Sequence, residues 1–165
     1  MSVHRVDRSV LVPYSCAQMF ALVREVERYP QFLPWCAAAA AQAVGQAPPA
    51  PAGAPVAVPL EVLQARVDIA YLGVHSHFTT RNEHDYPQRI ILTLVDGPFR
   101  DLRGAWTFTA LGEQACKVAL VLEYRFAAGL LGRAIAPVFE RVANSFIDAF
   151  VRRAQELYGP GSDLA

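Results

Sequence analysis

Charge is scarce in this chain of 165 residues. Asp, Glu, Lys and Arg make up 18% of it, and the 15 basic side chains cancel the 15 acidic ones. That share lies below the quarter usual for a globular domain. Without net charge the chain lacks the broad positive field by which nucleic acid is recognised, so DNA is not an expected partner. Lysine is nearly missing: every basic residue except Lys117 is arginine, a bias without a physical account. Cysteine is limited to Cys16, Cys36 and Cys116, with no C-x-x-C pair. An odd count fits reduced thiols packed as small hydrophobes. The length is sufficient to bury a core without disulfide or structural metal.

No charged side chain at all lies between Arg28 and Glu61, a stretch long enough to suggest a membrane span. Pro30, Pro34, Pro48, Pro49, Pro51, Pro55 and Pro59 exclude it, because no uninterrupted helix of about 20 residues fits between them. The first eight residues are followed by no apolar block of signal-peptide type, so a cytoplasmic location is expected. Also missing are a G-x-S-x-G elbow, a phosphate-binding loop and a dinucleotide fingerprint. What the chain has in excess is apolar: 53% of its residues are hydrophobic, with a mean hydropathy of +0.22.

The excess is periodic. Residues 6–12 form a β-branched run stopped by Pro13, a first strand. Ser15-Cys16-Ala17-Gln18 matches a capping box and predicts a helix of about ten residues, with Met19, Phe20, Val23 and Val26 inward. It should end before Tyr29-Pro30. Residues 37–59 are rich in Ala and Pro. Their first part is compatible with a strand or a helical stub, and residues 43–59 read as a loop inserted within one domain spanning residues 1–160. From residue 60 the period is two. Leu63, Ala65, Val67, Ile69 and Tyr71 face one way; then Val74, Ser76, Phe78 and Thr80 oppose His75, His77, Thr79 and Arg81. Residues 89–95, 104–110 and 117–126 add three strands, with Asp96-Gly97-Pro98 as a turn. Residues 130–158 read as one helix about 43 Å long, with Ile135, Val138, Val142, Phe146, Phe150, Ala154 and Leu157 at helical spacing, ended by Gly159-Pro160. So long a helix needs a broad partner, and a twisted antiparallel sheet wrapped around it supplies one. The fold class is α+β.

Particular strings narrow this. Arg8-Ser9-Val10-Leu11-Val12-Pro13-Tyr14-Ser15, Val26-Glu27-Arg28-Tyr29-Pro30-Gln31-Phe32-Leu33-Pro34-Trp35-Cys36, Phe78-Thr79-Thr80-Arg81-Asn82, Leu94-Val95-Asp96-Gly97-Pro98-Phe99, Leu102-Arg103-Gly104-Ala105-Trp106-Thr107-Phe108 and Asp148-Ala149-Phe150-Val151-Arg152-Arg153-Ala154 occur in order along nearly the whole chain. They resemble the signature of the coenzyme-Q-binding protein family and its bacterial relatives named as ribosome-association toxins, within the START-like polyketide cyclase/dehydrase superfamily. The Ala/Pro-rich insertion departs from that pattern. The resemblance implies a helix-grip fold, a curved antiparallel sheet wrapped around the long C-terminal helix, with ligand held between them.

On that fold the candidate lining is Phe78, Leu94, Trp106, Phe108, Leu120 and Leu122 from strands and Phe139, Phe146 and Phe150 from the helix. Phe32, Leu33 and Trp35 lie in a proline-fixed aromatic segment that suits a lid or entrance wall, with Pro98-Phe99 as a second loop. The implied ligand is ubiquinone or another polyprenyl lipid, carried rather than used as a redox cofactor, with transient contact at the inner membrane surface. The alternative is a ribosome-directed protein that blocks association of the ribosomal subunits, using Arg100, Arg103, Arg133, Arg141, Arg152 and Arg153 against rRNA phosphates. Glu140, Asp148 and Glu156 interrupt that set. No enzyme is expected. His75 and His77 share a strand face, with His84 nearby, and lack the further ligands a metal needs. Asp96, Asp101 and Asp148 form no acid–base couple by spacing. No metal and no cofactor beyond the bound quinone are expected.

Overall fold

The computed structural model describes residues 3–46 and 61–159. The order is β1 (His4–Val12), α1 (Cys16–Arg24), a 3₁₀ helix (Val26–Gln31), β2 (Cys36–Gln46), β3 (Glu61–Tyr71), β4 (Val74–Asp85), β5 (Arg89–Asp96), β6 (Phe99–Gly112), β7 (Ala115–Phe126) and α2 (Leu130–Tyr158). All seven strands form one antiparallel sheet ordered β1-β7-β6-β5-β4-β3-β2. β1 forms one edge, beside β7, and β2 forms the opposite edge. No described helix is long and apolar enough to cross a membrane.

The capping box is present as the sequence predicts: Ser15 Oγ accepts from Gln18 N at 3.1 Å and Gln18 Oε1 accepts from Ser15 N at 2.9 Å. The α-helix it starts ends at Arg24, and Val26 is buried in the 3₁₀ helix that follows. α1 thus stops before Tyr29-Pro30 as expected, and a separate 3₁₀ helix carries the chain through Pro30. The fixed φ of proline suits 3₁₀ geometry, and Tyr29 Oη donates to Val23 O at 2.5 Å, satisfying one of the carbonyls left open at the end of α1.

Alanine is the best helix former, yet residues 36–46 are a strand. Pairing with β3 from Cys36↔Ile69 to Gln46↔Glu61 overrides propensity, and Ala39 and Ala41 pack on the core. Residues 43–46, expected as loop, thus belong to β2, and residues 47–60 lie outside the described ones, as does Pro160. A second correction concerns Phe99, expected in a loop. It opens β6, is buried, stacks on Phe126 at 5.5 Å and meets Phe139 and Tyr124 edge-on at 4.7 and 6.1 Å. Leu157 is half exposed rather than inward.

On β7 the alternation is complete: Val118, Leu120, Leu122, Tyr124 and Phe126 are buried. The helix α2 lies across this face. Ile135, Val138, Phe139, Val142 and Ala143 pack into one apolar cluster, while Ile147, Phe150 and Ala154 pack into a second. Polar contacts tie it down along its length. Arg8 donates to Asn144 O, His4 Nδ1 lies 3.2 Å from Glu140, Tyr158 Oη donates to Gln18 O at 3.3 Å, and Tyr14 Oη to Gly159 O at 2.5 Å. Among the cysteines, Cys36 and Cys116 are buried and Cys16 is half-buried, its Sγ 3.3 Å from that of Cys116.

Gly104 marks the tightest approach between β6 and β7. A Cβ placed there would lie 2.6 Å from Val121 O and 2.8 Å from Leu122 Cδ1. Backbone cannot yield as a side-chain tip can, so Gly104→Ala is expected to destabilise the fold by about 1–3 kcal/mol. A thermal melt measures this, and an unchanged Tm would refute the packing described.

Candidate ligand-binding site

The two apolar clusters do not close on each other, and a cavity remains where they meet, between the sheet and α2. Its wall takes Trp35, Phe78, Trp106, Leu120, Leu122, Phe139, Phe146 and Phe150 from the residues the sequence nominated. It also takes Val23 and Val26 from the α1 region, Tyr29, Ala65 and Val67 from β3, Thr80 and Asn82 from β4, Leu92 and Leu102. Its volume is about 60 Å³, room for a few waters. Wider depressions, up to about 560 Å³, are open surface concavities with charged rims.

Five nominated residues do not line the cavity. Phe32 packs outside it against Tyr29 and Phe150, at 5.9 and 5.3 Å, under the Arg153 guanidinium. Leu33 is core, and Phe108 fills the second cluster against Phe20 at 5.6 Å. Phe99 belongs to the aromatic stack beside Phe139, and Leu94 borders a surface depression with Arg100 and Arg103. All five are apolar, and the position of each along the chain puts it beyond the gap between the clusters.

Sequence reasoning missed the polar part of the wall. All four buried polar side chains among the described residues, Thr79, Thr80, Asn82 and His84, lie on β4. Thr80, Asn82 and His84 continue the period that places Phe78 inward, so a signal was present: three polar residues on an inner strand face. Thr80 Oγ1 donates to Asn82 Oδ1 at 2.6 Å. Farther along, His84 Nδ1 lies 2.9 Å from Glu61 Oε1, and Arg24 grips the same carboxylate at 2.7 Å through both Nε and Nη2. His84 is thereby a buried partner of Glu61 rather than a neighbour of His75 and His77, since an odd separation along the strand puts it on the other face. His75 is exposed, and His77 pairs with Asp96 at 3.5 Å. Asp101 pairs with Arg125 and Asp148 with Arg8.

No Asp, Glu, His, Lys, Arg or Cys lines the cavity. Tyr29 is its one ionisable group, and burial pushes that hydroxyl well above its ordinary range. The wall as described binds by shape, apolar contact and neutral hydrogen bonds.

Residues 12–151 match the family described as polyketide cyclase / dehydrase and lipid transport. The chain belongs to that family. Among its relatives, the ribosome association toxin RatA of Pseudomonas aeruginosa is 38% identical, over 96% of this chain and 100% of that protein. The fold is shared with a START superfamily protein from Mycobacterium smegmatis (TM-score 0.68, 19% identity, 93% of this chain and 99% of that one). It is shared too with the Zhui aromatase/cyclase of a Streptomyces species (TM-score 0.71, 14% identity, 98% and 100%). The helix-grip architecture expected from the sequence is thus the family's own. The family contains cyclases, so membership alone leaves catalysis open.

Beside the cavity, burial lowers the pKa of His84 more than Glu61 raises it. The folded chain therefore takes up a proton there less readily than the unfolded chain. Stability is complete above the ordinary histidine range near pH 6.5 and declines as pH falls through it. The hydrogen bond from Arg24 holds Glu61 at about 2, so the contribution of Glu61 is present above the ordinary glutamate range and is lost only as pH falls towards that lower value. Melting curves from about pH 8 to about pH 5 should show a Tm that drops on acidification, with a shallower slope in His84→Gln. Equal slopes would remove His84 as the cause.

Proposed function

We propose that this chain is a binding protein for an apolar ligand, ubiquinone or a related polyprenyl quinone, acting as a carrier or chaperone that supports quinone biosynthesis and respiratory electron transport. The observation that carries the reading is the cavity itself, an aromatic-lined gap between the concave sheet and α2 with no ionised group in its wall. With room for only a few waters, the cavity must widen before it admits a head group. A tail requires the two clusters to part, and half-buried wall residues such as Phe78, Leu92 and Phe146 are the ones with room to turn. The driving force is adequate, since each five-carbon isoprene unit offers about 3–4 kcal/mol on burial, before the costs of association and ordering.

A second reading draws on the name of the relatives: an interaction with ribosomes that blocks subunit association. Among the described residues, Arg100, Arg133, Arg141 and Arg152 form no ion pair, whereas Arg103 and Arg153 are held by Glu123 and Glu156. These four guanidiniums are the ones of that set free to meet rRNA phosphates.

Both tryptophans of the chain, Trp35 and Trp106, line the cavity, so intrinsic fluorescence reports on its occupancy. Titration with decylubiquinone should quench it, and an organic extract of protein purified from a quinone-containing host should contain quinone by mass spectrometry. If neither is seen, the carrier reading fails. Sucrose gradients of purified subunits with added protein test the second reading: an undiminished fraction of joined ribosomes would sink it and leave the carrier reading untouched.

A further inference from the structure

We propose that the cavity selects the polar end of its ligand as a neutral hydrogen-bond acceptor, a carbonyl or alkoxy oxygen held by Trp35 and Asn82, and refuses carboxylate and phosphate lipids. This rests on the carrier reading and adds the chemistry of the head group.

The hydrogen-bond balance of the wall carries it. Trp35 is 4% exposed, and its Nε1–H, a donor only, meets no acceptor among the described residues. A buried donor left unmade is rare and destabilising, and it marks a place where a partner belongs. The carbonyl of Asn82 already accepts from Thr80, so what its side chain has left to offer the cavity is the amide N–H. The Tyr29 hydroxyl spends its proton on Val23 O. The unspent side-chain N–H groups of the wall are therefore donors, and a ligand that satisfies them must accept.

Charge decides which acceptors fit. A carboxylate or phosphate accepts hydrogen bonds well, yet in a wall without Lys, Arg or His it would lose its hydration with no counter-charge. The nearest ionisable group on the same face of β4 is His84, which is turned to the Glu61 carboxylate. Arg24 is bound to that same carboxylate, so the group offers an incoming anion no free cation. A neutral carbonyl carries no such penalty.

Three probes separate the possibilities: decylubiquinone, palmitate and decylbenzene, the last with a ring and a tail and no acceptor. Each is titrated against the wild type, Trp35→Phe and Asn82→Leu, following Trp106 fluorescence. Decylubiquinone should bind the wild type at least tenfold more tightly than palmitate. Each substitution should weaken decylubiquinone by roughly five- to thirtyfold, the range of one or two hydrogen bonds, and weaken decylbenzene by less. A variant that takes up decylbenzene is thereby known to be folded. If palmitate binds as tightly as decylubiquinone, or if both variants lose the two neutral probes equally, the head-group assignment is overturned while the carrier reading stands. If no probe binds the wild type, the carrier reading itself is at fault, and the head-group assignment falls with it.

Discussion

A helix of 29 residues cannot hide its apolar side against a short partner, and the architecture is organised around that constraint. The stripe of α2 that includes Ile135, Phe139, Val142, Phe146 and Phe150 is long because it recurs over most of the helix, and a flat sheet would touch only its middle. Seven antiparallel strands twisted around it meet the stripe along its length. The polar ties follow the same logic. Contacts from β1, α1 and the 3₁₀ helix fix rotation and axial position, which apolar packing alone leaves soft because it is non-directional.

The cavity is a consequence of this packing. One cluster gathers around Phe99, Tyr124, Phe126 and Phe139, the other around Phe20, Trp106, Phe108 and Phe150. Interiors ordinarily fill to the density of organic crystals, so a gap at the join of two well-packed clusters costs dispersion contacts on every wall residue. Phe146, Tyr29 and Phe32 touch both clusters. Of these, Phe32 is sealed behind the wall, while Phe146 and Tyr29 face the gap.

Where a residue's role depends on alternation or helical period, the sequence carried it. The extent of α2, the burial of alternate residues on β7 and the capping box at Ser15 all depend on interactions within a few positions. The errors have a common physical source in tertiary context. The alanine run became a strand because β3 offers a ladder and not because alanine prefers one. Phe99 left its expected loop because Phe139, forty residues away, meets it edge-on. Leu94 and Phe108 are on the right strands and still miss the cavity, since nothing local records where two clusters fail to meet. The polar stripe on β4 was legible in principle: Thr80, Asn82 and His84 sit in phase with Phe78, and polar groups placed inward ask for an explanation that apolar ones do not.

That stripe also bears on what the site can do. An aromatase/cyclase and this chain share the same fold at 14% identity, and a shared scaffold does not by itself set the chemistry. What this chain can do depends on which polar atoms face the cavity and how they are held. Here Thr80 and Asn82 are tied to each other, Tyr29 to a backbone carbonyl, and His84 is drawn away to Glu61 and Arg24. The one titratable imidazole on the inner face of β4 is thus engaged outside the wall. What stays available is a pair of neutral donors in an apolar enclosure, a set that can orient a molecule and exclude water around it but holds no group that changes charge near neutral pH.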